Sequence, residues 1–171
     1  ARQSLDFEGT IVVMSGHFTQ RGTPTLTDKW LRAHMAILGG ADLVLELPCA
    51  FSVRSAYYFA LGGVLSLACC GITHLSFGIE SDEVTLLAAA AHILAQESES
   101  YQETLKQQLS LGLSFAAAQS NALTQFLPQF DTTPLKQPNN LLAMSYLQVI
   151  KRFQLPITPL AIKRQGDYHN L

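Results

Sequence analysis

The chain has 171 residues, of which 48% are hydrophobic and 14% are charged, and its formal net charge at pH 7 is −2. This apolar content is sufficient for the core of one folded domain and excludes an intrinsically disordered chain, which would be poor in aliphatic residues and rich in charge. The near-neutral charge argues against indiscriminate binding of nucleic acid, and the longest apolar stretches are shorter than the ~20 residues that a membrane span requires.

Strands and helices alternate in the first half of the sequence. The β-branched run Ile11-Val12-Val13 predicts a buried strand that ends in Ser15-Gly16. Thr27 is the predicted N-cap of the next helix, which ends at Gly39-Gly40. This helix carries a mostly apolar stripe at helical spacing, formed by Trp30, Leu31, His34, Met35 and Leu38. Strands are predicted at 9–16, 42–48 and 73–78, and a long apolar helix at 52–70. This order predicts an α/β fold with a Rossmann-like parallel sheet and right-handed crossovers.

The second half of the sequence adds further helices to this sheet. Helical patterns cover 82–97, 98–110, 112–127 and 139–153, a proline-bounded loop covers 128–138, and a last strand is predicted at 157–162. Neither an internal repeat nor a low-complexity linker interrupts the sequence. We therefore expect a single α/β domain over residues 1–171.

Candidate ligand-binding residues follow three of the predicted strands. Ligands of open parallel sheets bind beyond the carboxyl ends of the strands. Ser15 and Gly16 follow the first strand and Gly78 ends the third, and glycine lets backbone approach a ligand closely. Lys163 and Arg164 follow the last strand, where two cations favour an anion such as phosphate. The alternative is that the glycines only form the turns that every parallel sheet needs.

The loop after the first strand and the helix that follows it carry further candidates. Arg21 lies in a loop with an imidazole and an amide, so its guanidinium is suited to a phosphate or a carboxylate; a solvated arginine is the alternative. Lys29 follows on the next helix, where Asp28 and Arg32 have the spacing of a helix-surface ion pair. Glu46 interrupts an apolar strand and is expected to have a structural partner.

The pair Asn139-Asn140 resembles a helix N-cap, and because one asparagine suffices for capping, the other amide is available to a ligand. The P-loop, GxGxxG and GxSxG patterns are absent from the sequence. Its three cysteines show no spacing typical of zinc ligands or of a disulfide framework, so we predict neither and assign no metal-ligating residues. Reduced cysteines and the lack of an export signal favour the cytoplasm.

Several blocks, in their order along the chain, carry a resemblance to a known family. They lie at 13–22, 28–33, 40–48, 77–80, 139–143 and 162–169. Met-Ser-Gly-x-Phe-x-Gln-Arg-Gly and Asp-Leu-Val-Leu-Glu-Leu-Pro are the specific ones. The chain resembles the tRNA(Met) cytidine acetate ligase family, in the HxGH nucleotidyltransferase-like branch of Rossmann-type folds. The resemblance covers nearly the whole chain.

The resemblance implies a ligase that acts in two steps. ATP, expected with Mg²⁺, and acetate would form acetyl-adenylate, and the acetyl group would pass to the exocyclic amine of the wobble cytidine of elongator tRNA(Met). Gly78, Asn139 and Arg164 match ATP-contacting positions of the family. Ser15, Gly16 and Lys163 are further nucleotide-binding candidates, and Arg21 and Lys29 are the candidates for catalytic residues.

The sequence departs from the family pattern at several points. It lacks the Asn-Pro-x-His-x-Gly-His segment, expected just before residue 1, and a carboxyl-terminal helical region; His17 replaces an asparagine and Ile79 a serine. We therefore interpret the chain as the core of such a ligase, shortened at both ends. The alternatives are an adenylyltransferase that makes a nucleotide cofactor and a non-catalytic remnant that binds nucleotide or tRNA.

Residues 131–171 hold five basic and two acidic residues, and this excess favours contact with RNA phosphates. We expect Lys151, Arg152 and Lys163 to attract the anticodon stem and Tyr168 to lie near the acceptor base. The alternative is that Lys151 and Arg152 only complete a helix end, where cations are favoured by the helix dipole.

Overall fold

The computed structural model describes residues 7–81 and 83–164. In chain order the elements are β1 (Ile11–Ser15), α1 (Lys29–Leu38), β2 (Leu43–Leu47), α2 (Cys49–Ser52), α3 (Ala56–Cys69), β3 (His74–Ile79), α4 (Val84–Gln96), α5 (Glu99–Ser110), α6 (Phe115–Phe126), a 3₁₀ turn (Thr133–Lys136), α7 (Pro138–Arg152) and β4 (Thr158–Lys163). None of the helices in these ranges combines the length and the apolar character needed to cross a membrane.

The strands form two parallel pairs. β1 pairs with β2 in a register that sets Ile11 opposite Leu43 and Ser15 opposite Leu47. β3 pairs with β4: the amide of Thr158 donates to the carbonyl of Thr73 and that of Arg164 to the carbonyl of Ile79, each at 2.9 Å. Because both hydrogen bonds join residues with the same sequence offset, these strands also run parallel. The predicted α/β class with parallel strands is confirmed.

The contacts divide the chain into two compact units. The first unit contains the described residues up to Ser76 together with Pro156–Leu160, and the second contains Phe77–Leu155 and the described residues from Ala161 onward. The expectation of one domain stays a prediction.

The core of the first unit lies where α3 packs against β1 and β2. Val64 and Leu67 of α3 and Leu47 of β2 are all nearly inaccessible to solvent. Gly62 lies directly against α2, since a Cβ atom placed on it would come within 2.5 Å of Phe51 and 3.0 Å of Leu47. The absence of a side chain at this position allows α3 to approach the strand pair closely.

The core of the second unit lies between α4 and α7. Both helices bury small and aliphatic side chains in this contact, among them Ala90, Ala91 and Leu94 of α4 and Ala143, Leu147 and Val149 of α7. The buried amide of Gln148 donates to the carbonyl of Leu94 at 3.1 Å, so that its polar group does not remain unsatisfied.

The structure corrects two predictions about helix boundaries. The predicted helix at 52–70 is two helices, α2 and α3, because the chain turns at 53–55 and Ser55 has an extended backbone (φ −56°, ψ 161°). Thr27 is not the N-cap of α1. Asp28 is the cap, since its carboxylate accepts a hydrogen bond from the amide of Leu31 at 2.9 Å. The predicted loop at 128–138 also contains the 3₁₀ turn.

Gly62→Ala should destabilise the protein by about 1–3 kcal/mol, because the new methyl group overpacks the contact between α2 and α3. Gly63→Ala is the matched control: its Cβ would meet Val13 at an ordinary 3.7 Å, and alanine favours a helix over glycine by about 0.5–1 kcal/mol. Urea denaturation of both variants checks this. Equal stabilities would show that α3 does not approach α2 as closely as described.

Candidate functional site

The turn after β1 is held by a half-buried arginine side chain. The Arg32 side chain donates through Nη2 to the carbonyl of Ser15 at 2.6 Å and, in a shorter contact, to the carbonyl of Gly16. Arg32 therefore fixes the turn instead of forming the helix-surface pair with Asp28 that its spacing suggested. Ser15 and Gly16, both candidate nucleotide-binding residues, are thus held in one orientation.

Glu46 has the structural partner predicted for it. Its Oε2 lies 2.6 Å from the Nζ of Lys29, the candidate catalytic lysine, and the Lys29 ammonium also lies 5.2 Å from the ring centre of Trp30. The Glu46 carboxylate packs against Gly16, and a Cβ atom at this position would force the carboxylate to shift. Gly16 therefore leaves room for the Lys29–Glu46 pair, a role that turn formation alone would not reveal.

A pocket of about 80 Å³ opens beside this pair. It is lined by Met14, Ser15, Lys29, Trp30, Ala33, Val44, Leu45 and Glu46. Lys29 and Ser15 were separate candidates from the sequence, but Trp30 was missed as a site residue because it was noted only for its helical spacing. The signal that could have found it is its position next to Lys29 at the start of a helix that follows a strand end.

The loop after Gly16 closes on itself and leaves Arg21 exposed. The amide of Thr19 donates to the carbonyl of Thr23 at 2.8 Å, and Gly22 occupies the left-handed region (φ +78°) that completes the turn. Gln20 donates to the carbonyl of Arg54 at 3.3 Å, which anchors the loop. Arg21 lies at the exposed tip. A catalytic role for it stays a prediction.

In the second unit, Gly78 and Arg164 lie side by side on the paired strands β3 and β4. A Cβ atom at Gly78 would lie 3.2 Å from Cγ and 3.3 Å from Cδ of Arg164, so the aliphatic part of this arginine packs over the glycine. The Arg164 amide donates to the carbonyl of Ile79, which continues the strand pairing to this point. Lys163 precedes it, and both cations are exposed.

Asn140 is a buried structural residue rather than the N-cap of α7, which is Gln137. Its Oδ1 accepts hydrogen bonds from the amides of Glu80 at 2.9 Å and Ser81 at 3.2 Å. Its Nδ2 donates to the carbonyl of Pro134 at 3.1 Å and to Gln137 Oε1 at 2.8 Å. Asn140 thereby connects the chain leaving β3 to the start of α7.

Glu80 completes this connection and was missed in the sequence analysis. Its carboxylate accepts from the Nδ2 of Asn139 at 2.6 Å and from the amide of Asn140 at 3.0 Å. The amides in the first turn of a helix lack partners within the helix, and a carboxylate there is also favoured by the helix dipole. Asn139, the asparagine predicted to face a ligand, is therefore positioned by Glu80.

Arg152 and Tyr168 belong to the basic end of the chain, which was expected to contact RNA. Arg152 forms an ion pair with Glu97 at 3.2 Å near the end of α7, which accords with a role in completing the helix. Tyr168 lies outside the described residues.

Of the two departures from the family pattern, Ile79 is buried and His17 is exposed. No three His, Cys, Asp or Glu side chains in residues 7–81 and 83–164 are grouped so as to hold a metal ion.

Parallel strand pairs, with glycine and cationic residues at their carboxyl ends, place the chain in the class of α/β folds that bind ligands at this edge of the sheet. The chain belongs to the HIGH nucleotidyl transferase family, whose profile matches residues 1–171. It is 50% identical to the tRNA(Met) cytidine acetate ligase of Syntrophomonas wolfei, over 98% of this chain and 41% of that protein. The ligase of Halothermothrix orenii is 40% identical, over 99% of this chain and 43% of that protein.

A solved structure agrees with these relatives. The TmcAL of Thermotoga maritima, bound with alpha-thio ATP, matches 92% of this chain with a TM-score of 0.86 and 36% identity. The alignment covers 40% of that protein, so the chain spans about two fifths of the length of the relatives it matches. The resemblance predicted from the sequence blocks is confirmed.

Asn140→Ala should lower the free energy of unfolding by about 1–3 kcal/mol, because the half-buried amides of Glu80 and Ser81 would lose their acceptor. The matched control is Asn121→Ala, which removes an exposed amide that donates to Gln108 and should change stability by no more than about 0.5 kcal/mol. Urea denaturation measures both. A loss no larger for Asn140 than for Asn121 would contradict the structural role.

Proposed function

We propose that this chain is the nucleotide-binding core of an ATP-dependent ligase that acetylates the N4 amine of the wobble cytidine of elongator tRNA(Met). The observation that carries the proposal is the 50% identity to a tRNA(Met) cytidine acetate ligase over 98% of the chain. The similarity to a TmcAL structure bound with alpha-thio ATP supports ATP as a substrate. The parallel strand ends with Gly78 and Arg164 are a suitable place for its phosphates.

The proposed reaction has two group transfers. In the first, an acetate oxygen attacks the α-phosphorus of ATP, the bond between that phosphorus and the bridging oxygen breaks, and pyrophosphate leaves. In the second, the cytidine N4 attacks the acetyl carbonyl, a C–N bond forms, and the C–O bond to AMP breaks while the amine loses a proton. No oxidant or reductant is required, and ATP is taken as its Mg²⁺ complex.

The proposed roles of the residues follow from their charge and position. In the second unit, Gly78 permits close approach of the nucleotide, Asn139 offers a donor and an acceptor, and the cations Lys163 and Arg164 meet phosphate charge. Asn139 is suited to this role because Glu80 fixes its orientation.

In the first unit, the proposed nucleotide-binding residues are Ser15 and Gly16, which Arg32 holds in place. Arg21 and Lys29 are the proposed catalytic cations. Arg21, placed where negative charge develops on the leaving pyrophosphate, would lower the barrier of the first step, whereas Lys29, whose charge is compensated by Glu46, is suited to the second step. The proposed location of the enzyme is the cytoplasm, which suits three exposed free cysteines, Cys49, Cys69 and Cys70.

Arg164→Ala should weaken ATP binding by about 1.5–3 kcal/mol, the range for a hydrogen bond to a charged group. The control is Lys106→Ala, which removes an exposed cation from α5 and should leave the affinity unchanged. Isothermal titration calorimetry of the natural protein that contains this sequence gives both dissociation constants. An unchanged constant for the Arg164 variant would remove this residue from the phosphate site.

The reaction itself is tested with labelled pyrophosphate and labelled acetate. A ligase of this type should exchange pyrophosphate into ATP only when acetate is present, and should then transfer label from acetate to elongator tRNA(Met). An adenylyltransferase that makes a cofactor would ignore acetate and require a phosphorylated small molecule. A remnant that only binds nucleotide or tRNA would show neither exchange nor transfer.

A further inference from the structure

The pocket beside the Lys29–Glu46 pair has an exposed aromatic wall. Trp30 is 74% exposed, although tryptophan is on average among the highly buried residues. The Lys29 ammonium lies 5.2 Å from the ring centre, a contact that restrains the ring while leaving most of it open. An exposed, restrained indole is a stacking surface for another flat ring, and single-stranded bases use such surfaces.

The polar groups of the pocket present a donor next to an acceptor. Lys29 Nζ and Glu46 Oε2 are 2.6 Å apart and are 26% and 48% exposed as side chains, so both can reach a further partner. An ammonium has three N–H groups and a carboxylate has several acceptor positions, which one mutual hydrogen bond does not exhaust. Because the pair is neutral overall, it favours a ligand that combines donor and acceptor over a bare anion.

The size of the pocket restricts the ligand further. A volume of about 80 Å³ is small beside the 300–1,000 Å³ of typical pockets for drug-sized ligands. It has room for the edge of one ring, while the rest of that ring would lie against Trp30. The Watson–Crick edge of cytosine fits these groups: a carboxylate accepts from its N4 amine, and an ammonium can donate to the neighbouring ring nitrogen.

We propose that this pocket receives the cytosine that accepts the acetyl group, with its ring stacked on Trp30 and its N4 edge directed at Glu46 and Lys29. This assignment rests on the proposed function and adds a base-binding site to it. Glu46 then orients the amine, and Arg32 acts as a positioning residue by holding the Ser15 end of the pocket. Adenine offers a similar pair of donor and acceptor, so the experiment must distinguish cytosine of the tRNA from adenine of ATP.

Steady-state kinetics of the natural protein provide the first test. Trp30→Ala should raise KM for tRNA roughly 5- to 150-fold, the range for loss of one base-stacking contact, and leave acetate-dependent pyrophosphate exchange within twofold. Trp30→Phe keeps an aromatic face and should restore most of the loss. The matched control is Leu38→Ala, because Leu38 is equally exposed on the same helix but does not line the pocket.

Tryptophan fluorescence provides a test that needs no activity. Trp30 is the single tryptophan among the 171 residues, so quenching that disappears in Trp30→Phe reports on this ring. We expect quenching by an anticodon stem-loop RNA with cytidine at the wobble position, weaker quenching by the uridine version, and none by ATP alone.

Three outcomes would overturn the assignment. An unchanged KM for tRNA in Trp30→Ala would show that no base stacks on the indole. If Trp30→Ala loses tRNA acetylation and pyrophosphate exchange equally, and ATP quenches the fluorescence of Trp30, the pocket binds adenine. Equal quenching by the cytidine and uridine stem-loops would remove the role of Glu46 and Lys29. If the unsubstituted protein shows no acetate-dependent exchange, the proposed function fails, and the fluorescence titration still decides what the pocket binds.

Discussion

Each parallel strand pair ends in backbone groups that need partners, and side chains from later helices, Arg32 of α1 and Asn140 of α7, supply them. At the end of β1, the Arg32 side chain donates to the carbonyls of Ser15 and Gly16. After β3, the amide oxygen of Asn140 accepts from Glu80 and Ser81. Arg32 acts as a donor to carbonyl groups and Asn140 as an acceptor from amide groups. Both fix the end of a strand with a side chain that belongs to a helix. Among the candidate site residues, Ser15 and Gly16 are held by the first contact, and Asn139 is held by Glu80 next to the second.

The glycines at the strand ends make room for side chains of the protein itself. Gly16 accommodates the carboxylate of Glu46, and Gly78 accommodates the aliphatic part of Arg164. In both places the accommodated group is charged at its end, so the glycine brings a charge close to the backbone at the carboxyl end of a strand. From the spacing alone, these glycines could either form turns or make room for a ligand. The structure shows a third role, which is to make room for a side chain of the protein itself.

The order of strands and helices along the chain could be predicted from the sequence because its signals are local, whereas the grouping of the strands into two pairs was not predicted. The β-branched run of β1, the Pro48 after β2 and the glycines after α1 each act within a few residues. Contacts between distant residues were less predictable. Asn140 looked like a cap because capping is a local pattern, whereas its partners Glu80 and Ser81 lie about 60 positions earlier. Thr27 and Asp28 are adjacent, and both side chains are able to cap a helix, so the sequence did not show that Asp28 is the N-cap of α1.

In α1, the helical spacing of the apolar residues did not show which face of the helix packs against the strands. Lys29, Arg32 and Ala33 follow the spacing of one helix face, and this face is directed at the ends of β1 and β2. The large apolar residues of α1, by contrast, stay exposed: Trp30 at 74%, Leu31 at 48%, Met35 at 58% and Leu38 at 74%. Hydrophobic periodicity assumes that a helix buries its apolar side, and here the inward side carries the cations instead. Even partial burial of two charged side chains, as for Lys29 and Arg32, is unfavourable unless each has a partner. Glu46 and the carbonyls of Ser15 and Gly16 meet that requirement, so the placement of these strand-end groups determines which face of α1 is turned inward.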